Sequence, residues 1–202
     1  MPVVFKADPL LKLKEDTAGT IISQGENIRG SGAKTAAENI ESAFLHFKNW
    51  GGKRPLPCLN GAEMETDRHG VYFIVDMGEE TAGYAILDLE VPYEADVWVG
   101  FGEHLQDMRV RTRIAMRNFA FGYRAKEGRN RFCGVLRRIG CRYLQIHIDA
   151  PWAKLYDCRV AGTNYPAEEM RVQIEDGLRR KIYGNGVRTL KRCMHEHYED
   201  CP

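Results

Sequence analysis

The sequence predicts a mainly β protein: an antiparallel β-sandwich of the jelly-roll type, with one helix before it and one after it. About seven short runs rich in β-branched and aromatic residues follow one another between residues 71 and 160, and glycine, proline or charged turns separate most of them. Helical stretches, which would indicate an α/β protein, do not alternate with these runs. Apolar spacings of three and four residues occur before and after them instead.

The amino-terminal segment, residues 1–60, is predicted to contain one helix. Alanine, isoleucine and phenylalanine recur at spacings of three and four over residues 33–49, which places them on one face of a helix. Ser31 or Thr35 could cap this helix, and Gly51-Gly52 would end it. A proline-rich extended connector follows. We therefore place a domain boundary near the end of this segment.

The central segment, residues 61–166, is predicted to be the sandwich domain. Residues 71–75 and 84–91 have the composition of two separate strands. Within 84–91 the odd-numbered apolar residues alternate with acidic ones, so the odd-numbered side chains should face the core. The same alternation in 143–148 directs the even-numbered side chains inward. Strands this short and this closely spaced are typical of an antiparallel sandwich.

The carboxyl-terminal segment, residues 167–202, returns to a helical period from about residue 172. Its apolar stripe lies opposite a row of arginines and lysines, and two glycines weaken its middle by roughly 1 kcal/mol each relative to alanine. We expect the helix to run close to Pro202, with Glu199 and Asp200 at its carboxyl end. Carbonyl dipoles disfavour negative charge there, so a ligand would explain these acids better than helix stability does.

Composition excludes several classes of protein. The net charge of +1 gives no broad field to attract nucleic acid or an acidic membrane, and a solvated strand face is the favoured interpretation of the basic runs 109–117 and 137–142. No apolar run approaches the ~18 residues of a membrane helix. The amino terminus lacks the apolar core of a signal peptide, so we expect a cytoplasmic protein with six reduced cysteines.

The last ten residues concentrate the chemistry of the sequence. Cys193, His195, His197 and Cys201 are the donors that zinc prefers. Residues two apart on a helix point in opposite directions, however, so the two histidines should not chelate one ion. A nucleophilic thiol would need an orienting group and an oxyanion hole that the sequence does not specify. We therefore predict neither a metal nor a cofactor.

Three carboxylates in the same stretch, Glu196, Glu199 and Asp200, could serve acid–base chemistry. Two adjacent carboxylates should not serve both roles in inverting hydrolysis, which needs carboxyls ~6.5–9.5 Å apart, but one could bind sugar hydroxyls. Two interpretations of these carboxylates remain open: a functional site and a solvated helix end. Aromatic residues in 98–102 and 119–123 could stack on a sugar or base, although packing inside the sandwich is the favoured interpretation.

Several stretches, in order, carry a family resemblance. They are the Asp-x-Gly-x-Glu-like stretch 75–84, the arginine-rich runs 109–119 and 137–145, and the ending 188–202 with its Glu-Asp-Cys-Pro motif. Together they resemble bacterial α-L-rhamnosidases of glycoside hydrolase family 78, over about residues 71–202. The ending is similar to the start of that family's catalytic domain. Residues 1–60 show no comparable match.

The resemblance implies a sandwich followed by an (α/α)6 barrel that hydrolyses terminal α-L-rhamnose with inversion. It implies that Asp200 contacts the sugar, and we add Glu199 and His197 as weaker candidates. The family's general acid follows the motif by a few residues and its base lies much further along, so the resemblance implies a fragment without catalytic residues, inactive alone. A non-catalytic sandwich binding carbohydrate or a partner chain is the alternative.

The partner that the resemblance implies is a rhamnose-containing carbohydrate. The helix from about residue 172 would bury its stripe against other barrel helices. Without them, the stripe must fold back on the sandwich, pair with a second copy of the chain, or fray. A homo-oligomer formed through this helix is therefore an expectation.

Overall fold

The computed structural model describes residues 14–67, 69–165, 172–195 and 197–199. The described ranges contain two helices, α1 (Ala36–Ser42) and α2 (Gly177–Cys193). Their strands are β1 (Lys14–Ala18), β2 (Thr20–Ile28), β3 (Phe44–Pro55), β4 (Ala62–Glu65), β5 (Gly70–Val91), β6 (Ala95–Gly102), β7 (Leu105–Gln106), β8 (Arg109–Val110), β9 (Arg113–Ile114), β10 (Arg117–Asn118), β11 (Ala120–Ala125), β12 (Gly128–Cys133), β13 (Ile139–Ile148) and β14 (Trp152–Gly162).

Strand β5 joins the two layers of the sandwich. Its first half pairs with β2 and β13, and its second half pairs with β14 and β12, always antiparallel. Between the halves Gly78 has φ 80, a left-handed conformation that glycine adopts without a steric penalty. The two strands predicted over 71–75 and 84–91 are therefore the two halves of one 22-residue strand.

The two halves of β5 contribute to one core. Phe73 and Leu87 are both fully buried and belong to the same apolar cluster. The odd-numbered apolar residues of 84–91 and the even-numbered residues of 143–148 face this core, as the alternation predicts. The predicted fold class, a mainly β antiparallel sandwich with flanking helices, is confirmed.

The opposite face of strand β13 is buried as well, which the alternation does not predict. Gln145 and His147 are both fully buried. The Gln145 Oε1 atom accepts a hydrogen bond from the Val110 N–H at 2.9 Å, and its Nε2 donates to His147 Nε2 at 2.7 Å. Strand β8 therefore covers this face, and a pair of neutral polar side chains satisfies part of the buried polar surface.

Helix α1 is shorter than the helix predicted over residues 33–49. The prediction is wrong beyond Ser42, where the helix ends. Thr35 caps its amino end, and Glu38 completes a capping box. From Phe44 the chain is strand β3, paired with β2. The apolar spacing misleads here, because the exposed fractions of Phe44 and Phe47 are 61% and 46%, although the helical period counts both as core.

The end of α1 has a specific cause. The guanidinium group of Arg109 donates hydrogen bonds to the carbonyl oxygens of Ile40 at 2.6 Å and Ala43 at 2.8 Å. These are carbonyls that a continuing helix would use itself. Burial lowers the pKa of Arg109 from its ordinary value, but the group still closes the helix from strand β8, 66 residues along the chain from Ala43.

Strands from the amino-terminal segment belong to the large sheet. Strand β2 pairs with the first half of β5, and β1 pairs with β14. The predicted extended connector is partly strand, because β3 runs to Pro55 and pairs there with Thr20. The domain boundary near residue 60 stays a prediction.

Helix α2 begins at Gly177, capped by the Asp176 side chain, and ends at Cys193. The prediction of a helix from about residue 172 to the neighbourhood of Pro202 is therefore wrong at both of its ends. Cys193 is the buried residue of this helix. Among the described residues, the structure contains no helix that is both long enough and apolar enough to cross a membrane.

Candidate functional site

The chain forms a compact turn immediately after α2. We call residues 194–195 and 197–199 the exit turn. Met194 and Tyr198 form an isolated antiparallel bridge. The His195 N–H donates to the His197 carbonyl at 3.1 Å, and the Glu199 N–H donates to the Cys193 carbonyl at 2.9 Å. These bonds replace the continued helix that the sequence predicts.

The exit turn is attached to the end of strand β14. The Tyr165 N–H donates to the Met194 carbonyl at 2.7 Å. The His195 ring is 2% exposed, and its Nδ1 lies 2.9 Å from the Thr163 carbonyl oxygen. A carbonyl only accepts hydrogen bonds, so the geometry assigns the proton to Nδ1. The turn therefore ends the helix because its polar groups find partners on the sandwich.

Glu199 binds the exit turn to a second part of the sandwich. Its carboxylate forms an ion pair with the Arg138 guanidinium, and each of the two side chains is 19% exposed. His197 Nε2 lies 3.3 Å from the same carboxylate, and His195 Nε2 lies 3.9 Å from it. A partly buried carboxylate with a guanidinium and two imidazoles around it is held in one orientation.

The structure describes some of the predicted site residues and not others. Asp200 lies outside the described residues, as do Glu196 and Cys201. The structure brings Glu199 and His197 together, within 3.3 Å. The His197 side chain is 62% exposed, so it is accessible to a ligand, whereas Glu199 is mainly engaged with Arg138. Sugar binding by Asp200, Glu199 and His197 stays a prediction.

The helical geometry that was predicted to keep His195 and His197 from sharing a metal ion is wrong, because these two residues do not lie on a helix. Both imidazoles approach the Glu199 carboxylate instead. Within the described ranges, no group of three or more histidine, cysteine, aspartate or glutamate side chains is arranged to hold a metal ion. The five described cysteines are free thiols, of which Cys133 is exposed and Cys141, Cys158 and Cys193 are buried.

A small cleft of about 260 Å³ lies beside the exit turn. Its walls are two aromatic rings, two imidazoles and a thioether, from Tyr165, Met194, His195, His197 and Tyr198. The Tyr198 side chain is 74% exposed. Aromatic faces next to hydrogen-bonding groups are the surfaces on which a sugar ring can stack and be oriented. We call this the turn cleft.

Phe101 of strand β6, Phe119, and the aromatic residues of strands β11 and β12 pack inside the sandwich, as the favoured interpretation predicts. Phe119, Phe121, Tyr123 and Phe132 pack against the main core. The Tyr123 and Phe132 rings stack with their centroids 4.1 Å apart. Burial raises the pKa of the Tyr123 phenol well above its ordinary value. These rings contact one another and the core, so the structure does not favour them as an exposed stacking platform.

Sequence reasoning misses three residues that build the site: Arg138, Thr163 and Tyr165. Arg138 lies in a basic run interpreted as a solvated strand face, and its partner Glu199 is 61 residues away. Thr163 and Tyr165 act partly through backbone groups, which no side-chain pattern reveals. A signal existed for Arg138 alone, in the unusual density of arginines before β13.

Comparison with known proteins gives a result at the level of fold. No family model matches the sequence, and no curated protein matches it at a significant level. Several solved structures do match. The family 78 rhamnosidase of Bacillus sp. GL1 has a TM-score of 0.69 at 19% identity, over 84% of this chain and 18% of that chain.

Two further structures are also rhamnosidases. The rhamnosidase from Klebsiella oxytoca with rhamnose bound has a TM-score of 0.59 at 17% identity, over 92% of this chain and 36% of that one. The α-L-rhamnosidase from Dictyoglomus thermophilum has a TM-score of 0.51 at 14% identity, over 70% of this chain and 17% of that one. The chain thus spans between about a sixth and about a third of the length of these enzymes.

The likeness shows a shared fold: an antiparallel β-sandwich that matches one part of each of these longer chains. All three of these structures are rhamnosidases, and one is described as a member of family 78. The resemblance inferred from the sequence motifs is therefore confirmed by structural similarity to part of family 78 α-L-rhamnosidases. The TM-scores of 0.51–0.69 establish the shared fold, and at identities of 14–19% the likeness shows the fold alone.

Proposed function

We propose that the chain is part of an α-L-rhamnosidase-like glycosidase, and that the exit turn carries a binding site for terminal α-L-rhamnose. The observation that supports this most is the likeness to the Bacillus rhamnosidase, with a TM-score of 0.69 over 84% of the chain. The Glu199-Asp200-Cys201-Pro202 motif, which resembles the family's sugar-contacting stretch, begins at the last residue of the described exit turn.

Each site residue has a proposed role. Asp200 accepts hydrogen bonds from sugar hydroxyls, and such charge-assisted bonds are roughly twice as strong as neutral ones. His197, with its side chain 62% exposed, offers a further polar contact. Glu199 contributes mainly by orientation, because its ion pair with Arg138 fixes the backbone immediately before Asp200. The sandwich thereby positions the sugar ligand.

Hydrolysis needs groups in addition to these. An inverting glycosidase uses one carboxylic acid to protonate the leaving oxygen and one carboxylate to activate water on the other face of the sugar. By the family resemblance, both residues correspond to positions after residue 202. We therefore propose that a polypeptide of these 202 residues binds rhamnose without hydrolysing rhamnosides.

Two assays on the purified 202-residue chain test this proposal. With an aryl α-L-rhamnoside we expect no turnover above background, and turnover that Asp200→Asn abolishes would overturn the proposed inactivity. In a calorimetric titration with L-rhamnose, Asp200→Asn should weaken binding about tenfold, the usual effect of losing a charged hydrogen bond. Asp67→Asn, an exposed aspartate elsewhere, is the matched control. Equal affinities for the Asp200 variant and the wild type would refute the assigned site.

A further inference from the structure

One buried side chain of strand β2 has a polar atom that the chain does not satisfy. Asn27 is 2% exposed, and its Oδ1 atom accepts no hydrogen bond from any residue that the structure describes. Buried polar atoms in folded proteins nearly always have a hydrogen-bonding partner. The amide oxygen of Asn27 therefore points to a donor from outside the chain.

Asn27 lies in the wall of a cleft with a volume of about 520 Å³. Arg29, just after strand β2, and Gly70, the first residue of β5, line the same cleft. Tyr93 and Asp149, which follow strands β5 and β13, complete the part of its wall that matters here. We call this the end cleft. Its volume is within the range of sites that hold a small molecule.

The end cleft and the exit turn lie at opposite ends of the sandwich. Gly70 begins strand β5, and Tyr93 lies just beyond its other end. The side of the exit turn contacts the middle of β5 instead, where the Thr163 N–H donates to the Ala82 carbonyl at 3.4 Å. A strand rises about 3.3 Å per residue, so the half of β5 from Gly70 to Gly78 spans ~26 Å. The end cleft is therefore a separate site.

Asp149 offers a second acceptor in the end cleft. Its side chain is 23% exposed, and its Oδ2 atom accepts hydrogen bonds from Arg29 at 3.1 Å and from the Trp98 ring N–H at 3.4 Å. These two bonds fix the direction of the carboxylate. Both go to one oxygen, although a carboxylate has about four lone-pair positions. The other oxygen, Oδ1, therefore has capacity for a hydrogen bond from a ligand.

The chemistry of these walls selects a ligand that donates hydrogen bonds. A carboxylate group only accepts them, so it would leave the oxygens of Asn27 and Asp149 unpaired, and the guanidinium of Arg29 disfavours a cation. Hydroxyl groups donate and carry no charge. The Tyr93 side chain, 48% exposed, adds a ring on which the C–H face of a sugar can pack. A neutral sugar combines these properties.

We infer that the end cleft binds a neutral hexopyranose unit of a glycan, as a carbohydrate site separate from the exit turn. One sugar hydroxyl donates to the amide oxygen of Asn27 and a second donates to Asp149 Oδ1, while the sugar ring packs on Tyr93. This inference does not depend on rhamnose binding at the exit turn. A polysaccharide long enough to reach both sites would be held at two points, which raises its overall affinity above that of either site.

Residue-resolved titrations of the 202-residue chain with D-glucose, D-galactose and D-mannose, followed by amide chemical shifts, test the inference. At least one of these hexoses should give saturable shifts at Asn27, Gly70 and Tyr93. The amides of His195 and Glu199 in the exit turn should not respond to that hexose. Concentrations up to about 50 mM fill even a site with a millimolar dissociation constant.

Two variants remove different parts of the end cleft. Tyr93→Ala and Asn27→Ala should each weaken hexose binding about tenfold, the usual effect of losing one good contact. Tyr93 is half-exposed, so its variant should fold even if Asn27→Ala does not. Asn39→Ala is the matched control, because Asn39 is 3% exposed with a similarly unsatisfied Oδ1 but lies in helix α1, outside the cleft. An equal loss of affinity in Asn39→Ala would overturn the role of Asn27.

The outcomes separate this inference from the proposed function. No saturable shift at the end cleft with any of the three hexoses, or binding that Tyr93→Ala leaves unchanged, overturns the inference. If L-rhamnose binds at the exit turn and no hexose binds at the end cleft, the proposed function stands and the inference fails. If a hexose binds at the end cleft and L-rhamnose binds nowhere, the end cleft stands as a sugar site and the rhamnose proposal fails.

Discussion

Strand β5 and helix α2 are held in very different ways. Four other strands hydrogen-bond to β5 along its 22 residues, and most of its side chains are buried. Within α2 the buried residue is Cys193. Leu178 and Ile182, near the start of the helix, are 67% and 62% exposed. The carboxyl end of the helix, in contrast, is attached through Arg192 and the exit turn.

The difference shows that the candidate site depends on the anchored end of α2 and on the sandwich. Three outcomes are predicted for the apolar stripe of this helix: packing on the sandwich, pairing with a second copy, or fraying. Packing on the sandwich is not observed for Leu178, Ile182 or Leu190, which are all more than half exposed. The contacts of the exit turn with Thr163, Tyr165 and Arg138 do not involve the first turns of α2.

The largest expected effect compares one apolar side chain from each region. Phe73→Ala, at a fully buried position of β5, should lower the free energy of unfolding by about 3–5 kcal/mol, since it removes transfer energy and leaves a cavity. Leu178→Ala in α2 should change it by less than about 0.5 kcal/mol. Urea denaturation followed by circular dichroism measures both. Similar losses for the two variants would show that α2 is packed after all.

A second prediction concerns the buried face of β13. Burial, with a contribution from the charge of Arg109, lowers the pKa of His147 from 6.5 to about 3. Between these values the unfolded chain binds a proton that the folded chain does not. Stability that is present above about pH 6.5 is therefore lost as the pH falls towards 3, by up to about 1.4 kcal/mol per pH unit.

His147→Gln tests this prediction, because glutamine does not titrate and keeps an acceptor for the Gln145 amide. The variant should lose less stability than the wild type between pH 6.5 and 4, in denaturant titrations at several pH values. His104→Gln, at an exposed histidine, should follow the wild type. A wild-type pH profile in the His147 variant would show that another group causes the acid sensitivity.

The third prediction concerns the link between the exit turn and the sandwich. Arg138→Gln removes the partly buried ion pair with Glu199 and should destabilise the turn locally by about 1–3 kcal/mol. Amide hydrogen exchange should accelerate at His195 and Glu199, while strand β5 keeps its protection. Arg131→Gln, at an 81% exposed side chain that pairs with Asp88, serves as the control. Unchanged exchange in the exit turn would refute the anchoring role of Arg138.

The smallest effect is expected in α2 itself. Gly184 and Gly186 have open space where a Cβ atom would lie. Replacing both with alanine should stabilise the helix by about 0.4–1 kcal/mol per site. Limited proteolysis should cut the wild type first within α2, and the double variant should be cut several-fold more slowly. A first cut within the sheet would contradict the weaker attachment of α2. A dimeric mass with α2 fully protected would instead indicate pairing between copies.

The strands of the core and the predicted helix over residues 33–49 differ in how well the sequence predicts them. Alternation within 84–91 and 143–148 identifies the core side chains correctly, because an antiparallel strand with one face on the core imposes a period of two. The helix over 33–49 is predicted too long, because Phe44 and Phe47 fit a helical spacing by coincidence while pairing with β2 makes them strand.

At the candidate site, the sequence shows the residues of the exit turn but not the residues of the sandwich that hold the turn in place. Glu199 and His197 are identified from composition, and the structure brings them together. The sequence predicts that the helix continues to them, because sequence periodicity does not include the tertiary bonds to Thr163 and Tyr165 that end it at Cys193. Long-range partners such as Arg138 leave no local pattern.

A residue-resolved titration with L-rhamnose, followed by amide chemical shifts, tests the central claim most directly. The account predicts the largest shifts at Tyr165 and in the exit turn, with strands β6 and β11 unaffected. Shifts confined to β6 and β11, or no shift in the exit turn at saturating L-rhamnose, would contradict it.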